Sequence, residues 1–95
     1  MSINELTVLV ISPEEVIYEG TVINISSLNE KGKFDILPLH ANFITIIKKT
    51  LILREKSGQN KEIQIDNGII RVMENQVYIF LGIETQQSTM LPSSQ

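Results

Sequence analysis

The fold is predicted most clearly by residues 61–81, which read KEIQIDNGIIRVMENQVYIFL. Ile63 and Ile65 alternate with polar side chains, and this period of two is typical of a half-buried strand. The Asn-Gly pair at 67–68 is a strong signal for a tight turn, and the Glu-Asn pair at 74–75 separates two further apolar runs. We therefore expect three short strands here, joined by two hairpins.

The rest of the chain repeats this succession of short apolar runs and polar turns. Pro13 closes an apolar run at 6–12, and Pro38 closes another at 33–38. No stretch of ten residues shows the apolar spacing of three and four that is typical of a helix. Strands spaced by about 8–10 residues predict an all-β domain, a small antiparallel sandwich of about eight to ten short strands.

The composition also favours sheet over helix. The chain has 95 residues, which is the size of one domain, and 28 of them are Ile, Val or Thr, against a single alanine. Branching at Cβ restricts a side chain in a helix but suits the pleated surface of a sheet. Alanine, the best helix former, is almost missing.

The same composition excludes several kinds of chemistry. The chain has no cysteine, so it has neither a disulfide framework nor a thiolate zinc site. Its one histidine, His40, cannot form a multi-histidine metal site and has no neighbouring nucleophile. There is no glycine-rich phosphate-binding motif. We therefore predict no catalytic residue, no metal and no cofactor.

Charge and hydropathy narrow the class of partner. The net charge of −3 argues against a nucleic-acid surface, which needs clustered Lys and Arg. No apolar run reaches the ~18 residues of a membrane span, so we predict no direct membrane insertion. The residues alone indicate a module that binds another macromolecule. A carbohydrate-binding module is an alternative, although the chain has no Trp and only five aromatic residues.

The last predicted strand, at residues 77–81, is apolar on both of its faces. A strand in a two-layer sandwich usually has a polar outer face. Tyr78 and Phe80 are therefore candidates for a surface that another chain covers. The alternative is that loops of the same chain cover them.

One stretch in the middle of the chain matches a known motif. Residues 32–45 read GKFDILPLHANFIT. This run resembles the pattern G-x-h-G-h-L-P-x-H-A-P-h-h-T, with h an apolar residue, of the N-terminal β-sandwich in the epsilon subunit of F-type ATP synthases (the delta subunit in mitochondria). The matching positions are Gly32, Phe34, Ile36, Leu37, Pro38, His40, Ala41, Phe43, Ile44 and Thr45.

The flanking sequence agrees with this resemblance. The opening LTVLVISPE and the following VIYEGTV are similar to the first strands of that family, and the match extends in order over about residues 5–84. Asp35, Asn42 and the pair Lys49-Thr50 depart from the family pattern, where Gly, Pro and Pro-Gly are usual. These departures indicate a divergent member.

The resemblance implies a non-catalytic subunit of the rotating central stalk. Such a subunit packs against the gamma subunit, rests on the loops of the c-ring and reaches the catalytic alpha/beta assembly only indirectly. It couples ion translocation to ATP synthesis and needs no cofactor. The implied location is peripheral, on the cytoplasmic side of a bacterial inner membrane. The resemblance is compatible with the main ATP synthase of a cell and with a second, divergent enzyme. It is equally compatible with protons and with sodium ions as the coupling ion.

The resemblance also implies where the contacts lie. Gly32, Pro38 and His40 fall at the end that faces the ring, and Lys33 is exposed there to meet acidic or carbonyl groups. For Gly32 and Pro38, a purely conformational role in turns is an equal alternative.

The resemblance leaves one large departure at the end of the chain. We expect the sandwich domain to span residues 1–84 and a flexible polar tail to span 85–95. Members of the family usually continue into two C-terminal helices that can inhibit ATP hydrolysis. We expect no such helical hairpin here. A natural ending of the chain and a truncation are the two alternative explanations for its absence.

Overall fold

The computed structural model describes residues 4–82, so the predicted boundary at 84 and the predicted tail at 85–95 lie outside the described residues. The described chain is all-β, as predicted, and it forms seven strands in the order β2-β1-β7-β6-β5-β3-β4. The strands are β1 (Leu6–Ile11), β2 (Val16–Val22), β3 (Asn24–Asn29), β4 (Gly32–Ile36), β5 (Phe43–Arg54), β6 (Asn60–Met73) and β7 (Gln76–Leu81).

The two long strands carry the sheet from one layer of the sandwich to the other. β7 pairs with β6 only over residues 68–73, whereas β3 pairs with β5 mainly over residues 51–54. The first layer therefore contains β2, β1, β7 and the adjoining halves of β6 and β5. The second layer contains β3, β4 and the other halves of the long strands. The core lies between these layers.

A bulge between β5 and β6 leaves both long strands continuous, so seven strands form instead of eight to ten. The register between β5 and β6 shifts between Lys48 and Lys49, and Lys49 has a φ of 71°. Pairing continues on both sides, because a bulge bends a strand without ending its ladder. The expected hairpin at Asn67-Gly68 was therefore wrong: both residues lie inside β6, at the bend.

The core consists of aliphatic side chains that alternate with outward-facing residues along their strands. In β1, Leu6, Val8 and Val10 are fully buried, while Thr7 and Leu9 point to the other face of the sheet. In the described residues the core also contains Val22, Ile25, Ile36, Ile47, Leu51, Leu53, Ile70, Val72, Val77 and Ile79. Each such side chain contributes about 1.5–3 kcal/mol when it leaves water. This burial holds the two layers together.

The predicted turn at Glu74-Asn75 is confirmed, and two further short connections join neighbouring antiparallel strands. Two-residue loops join β3 to β4 and β6 to β7, and residues 55–59 join β5 to β6. Glu74 and Asn75 have φ values of 51° and 64°, and this pair of positive angles is typical of the type I′ hairpin turn. One pairing differs from the antiparallel prediction: β1 and β7 run parallel. No turn constrains these two strands, since nearly the whole described chain lies between them.

A hydrogen bond joins the edge strand β2 to the β5–β6 hairpin, although these elements are not neighbours in the sheet. The Tyr18 hydroxyl donates to Glu55 Oε2 at 2.7 Å. Burial, with the acceptor carboxylate of Glu55 adding to it, raises the pKa of Tyr18 from its usual 10.0 to about 12. The protonated phenol is thus favoured in the folded state.

This bond predicts a loss of stability at alkaline pH. The pKa of Tyr18 is higher in the folded state than in the unfolded state. Its contribution to the free energy of unfolding is therefore complete below pH 10 and is lost as the pH rises towards 12. We expect Tyr18→Phe to cost about 1 kcal/mol at pH 8 and to remove this part of the alkaline decline. Urea unfolding between pH 8 and 11.5 measures both effects. An equal decline in the two proteins would contradict the assignment.

Candidate interaction surfaces

The loop at residues 37–42 contains two of the predicted site residues, Pro38 and His40. Its apolar side chains point outward: Leu37 is 53% exposed and Leu39 is 70% exposed. The backbone N–H of His40 donates to the carbonyl of Leu37 at 3.1 Å, which closes the loop into a turn. Leu39 lies within this turn at a φ of 69°, a left-handed conformation that is costly for a leucine.

His40 packs into a small aromatic cluster beneath this loop. Its ring lies 5.3 Å from the ring of Phe43, which in turn meets Phe34 edge-on at 5.8 Å. One imidazole nitrogen, Nδ1, lies 2.8 Å from the carbonyl oxygen of Ala41. These contacts orient the ring and leave it half-buried. His40 therefore combines a packing role with a partly accessible edge.

The other two predicted loop residues lie in the hairpin between β3 and β4. Gly32 has a φ of 119° opposite Asn29, and a Cβ there would meet nothing within 4 Å, so the turn needs glycine for its backbone conformation. Lys33 is exposed and lies opposite Leu28. Gly32 and Lys33 thus lie at the hairpin before β4, whereas Pro38 and His40 lie in the loop after it.

Two asparagines that the sequence analysis did not assign to a site hold the 37–42 loop in place. The backbone N–H of Leu39 donates to Asn75 Oδ1 at 2.7 Å, and the N–H of Glu74 donates to Asn42 Oδ1 at 3.0 Å. The sequence pattern places Asn75 only in a hairpin, and Asn42 is only a departure from the family pattern. The sequence gives no sign of either bond, because each joins residues more than 30 positions apart.

Tyr78 and Phe80 lie on the outer face of the first layer, as their alternation predicts. Tyr78 is opposite Leu9 on one side and Arg71 on the other, while Phe80 lies between Ile11 and Ile69. On β5, the same face continues to Ile44 and Ile46, which are 64% and 62% exposed. We call this surface the apolar outer face; it comprises Leu9, Ile11, Ile44, Ile46, Ile69, Tyr78 and Phe80.

The apolar outer face borders an open cleft of about 730 Å³. Tyr78 and Arg71 form one side of it, and Glu5 and Glu74 contribute negative charge. An apolar surface with a charged border is the usual anatomy of a protein–protein interface. This face therefore suits a macromolecular partner better than a small ligand.

The polar side chains of residues 4–82 form small clusters. No three metal-ligating side chains come together in that part of the chain. The most connected network lies on the second layer, where Arg54 donates to Ser26 Oγ and Asn24 Oδ1, and Ser26 donates to Asp35. That network lacks a histidine to activate the serine. Within the same residues, no helix is long and apolar enough to cross a membrane.

Comparisons with known proteins agree with this fold. Residues 5–82 match the family model of the ATP synthase delta/epsilon chain, β-sandwich domain. An ATP synthase epsilon chain of Leptospira interrogans is 32% identical over 79 residues, which cover 83% of this chain and 62% of that protein. One of Nitratiruptor is 34% identical over 68 residues, covering 70% and 53%.

Solved structures share the fold at lower sequence identity. A chain in the mitochondrial ATP synthase of Euglena gracilis, solved as an assembly of OSCP, F1 and c-ring, superposes with a TM-score of 0.77 at 17% identity, covering 82% of this chain and 51% of that one. A chain in the central stalk and c-ring of the Tetrahymena thermophila enzyme gives 0.67 at 13% identity, covering 90% and 73%.

The fold and its surfaces thus define a β-sandwich that presents one apolar face and one hydrogen-bonded loop. The chain belongs to the family of the ATP synthase delta/epsilon chain β-sandwich domain. This membership excludes the alternative of an unrelated binding module. The chain spans about 62% of the length of the Leptospira relative that it matches.

Proposed function

We propose that this chain is a non-catalytic central-stalk subunit of an F-type ATP synthase, linking the gamma subunit to the c-ring. The observation that carries the proposal is the family match over residues 5–82. The stalk and ring assemblies in which similar folds occur support it. In this role the chain contacts the catalytic alpha/beta assembly indirectly and lies peripherally, on the cytoplasmic side of a bacterial inner membrane.

Each of the two surfaces described above suits a different partner. The apolar outer face suits gamma, since Tyr78 and Phe80 form a broad apolar surface with exposed neighbours on β5. The 37–42 loop and the β3–β4 hairpin, with Pro38, His40, Gly32 and Lys33, suit the loops of the ring. Torque passes between them through the closely packed aliphatic core, because dense interiors transmit strain with little deformation.

Co-purification tests the proposal directly. The tagged chain is expressed with its cognate gamma subunit and c-ring, and the recovered proteins are identified by mass spectrometry. Recovery of both partners supports the stalk role. Recovery of neither, from a sample with a cooperative unfolding transition, would contradict it.

The polar contacts of the ring-facing region predict a loss of coupling without a loss of fold. We expect the double variant Lys33→Gln, His40→Ala to bind the c-ring about tenfold more weakly. It removes the exposed Lys33 ammonium and the partly accessible edge of His40, two polar contacts of about 0.5–1 kcal/mol each. Proton- or sodium-driven ATP synthesis in reconstituted vesicles should fall in parallel.

The control for this variant is Lys56→Gln, which removes a lysine from the exposed β5–β6 hairpin. Its ring affinity and ATP synthesis should match those of the wild type. If the double variant also matches the wild type in both assays, Lys33 and His40 do not face the ring.

A further inference from the structure

The loop at 37–42 is held to the β6–β7 turn by two bonds of the same kind, made in opposite directions. Asn75 on the turn accepts from the backbone of Leu39 on the loop, and Asn42 on the loop accepts from the backbone of Glu74 on the turn. Both acceptors are side-chain amide oxygens. The loop and the turn therefore form one unit, although they are distant in sequence; we call it the asparagine clamp.

The clamp holds a side chain that contributes little to the fold. Leu39 is 70% exposed, so its burial stabilises the domain only weakly. Its φ of 69° costs about 1–2 kcal/mol relative to an ordinary backbone conformation. Backbone strain that persists although it lowers stability is typical of functional segments. Leu37, which is 53% exposed, lies two residues away in the same loop.

We propose that Asn42 and Asn75 are positioning residues that hold Leu39 and Leu37 as a preformed apolar contact for the loops of the c-ring. This proposal rests on the proposed function and adds the residues that determine the strength of one of its interfaces. The contacting groups are Leu39 and Leu37, and the asparagines act through the backbone of the loop.

Preorganisation is the physical reason for the clamp. A free six-residue loop would have to be ordered when it binds, at a cost that reduces affinity. The clamp orders the loop during folding, because the bonds to Leu39 and Glu74 fix it before the partner binds. The exposed leucines then leave water only on contact with apolar atoms of the ring.

The first test separates the clamp from the turn that carries it. Asn75→Gly keeps the left-handed turn but removes the acceptor, whereas Asn75→Asp keeps both the acceptor and a residue that tolerates this conformation. We expect Asn75→Gly to raise the Kd for purified c-ring about fivefold, and Asn75→Asp to restore binding to within twofold of the wild type. Biolayer interferometry with the full chain measures both.

The second test uses a variant that leaves the clamp intact. Leu39→Asn removes the apolar side chain and also relieves the strain, since Asn tolerates a positive φ. We expect its thermal midpoint to be equal to or above that of the wild type, while its Kd for the ring rises about tenfold. Val16→Thr is the control: Val16 is 56% exposed, lies at the opposite end of β1 from the 74–75 turn, and should leave the Kd unchanged.

The outcomes distinguish this proposal from the function on which it rests. If the wild-type chain does not bind the ring, both fail. If the wild type binds and Leu39→Asn or Asn75→Gly binds equally well, the positioning role fails and the stalk function stands. An equal loss in Asn75→Gly and Asn75→Asp would also overturn it, because only the acceptor should matter.

Discussion

We expect Gly68→Ala to lower the free energy of unfolding by about 2–3 kcal/mol. A Cβ at residue 68 would lie 2.8 Å from the carbonyl oxygen of Phe80 and 2.9 Å from Leu81 Cδ2. The first contact is with backbone that pairs with β6 at this point, so it cannot move away alone. Relief of the clash requires β7 to separate from β6 where the long strand bends.

Urea unfolding at neutral pH measures this effect, and a second glycine supplies the control. Gly58, in the β5–β6 hairpin, has a φ of 97° and open space around it, so Gly58→Ala should cost only the conformational strain of about 1 kcal/mol. A smaller loss for Gly68→Ala than for Gly58→Ala would show that the close approach of β6 and β7 does not require glycine.

The second large effect concerns the apolar outer face. We expect Tyr78→Glu to weaken binding to gamma at least a hundredfold, which corresponds to about 2.7 kcal/mol, because it places a charge in a surface that must lose water on assembly. The domain itself should tolerate the change. Tyr78 lies opposite Arg71 on β6, and this cation can pair with the new carboxylate.

A matched change on the other layer tests whether this face is specific. Ile52 is a half-buried residue of β5 on the second layer, opposite Ser26 and Glu62. We expect Ile52→Glu to bind gamma with wild-type affinity in the same pull-down and calorimetric titration. If Ile52→Glu is as damaging as Tyr78→Glu, the gamma contact is not confined to the apolar outer face.

The local elements of this fold were predictable because each follows from neighbouring residues. The alternation in the first half of β6 predicted that Ile63 and Ile65 share one face, and both are half-buried against the core. Glu74-Asn75 predicted the hairpin before β7. The prediction of a hairpin turn at Asn67-Gly68 was wrong for a physical reason. The same pair that permits a tight turn also permits the bend and the close approach that β6 needs there.

The candidate surfaces were predictable only in part. The doubly apolar strand at 77–81 predicted that Tyr78 and Phe80 lie on an outer face, and the motif at 32–45 located the loop that contains Pro38 and His40. Neither pattern could show that Gly32 and Lys33 belong to a separate hairpin, because the distance between them and His40 depends on the path of β4.

The sequence by itself determined the all-β class, the alternating core and the family, since periodicity and motifs are carried by residues close together in the chain. Only the tertiary structure decided where the sheet bends, that β1 and β7 run parallel, and that Asn75 holds Leu39. These features depend on contacts between distant residues. Such contacts form only when the two layers pack, so no local pattern in the sequence records them.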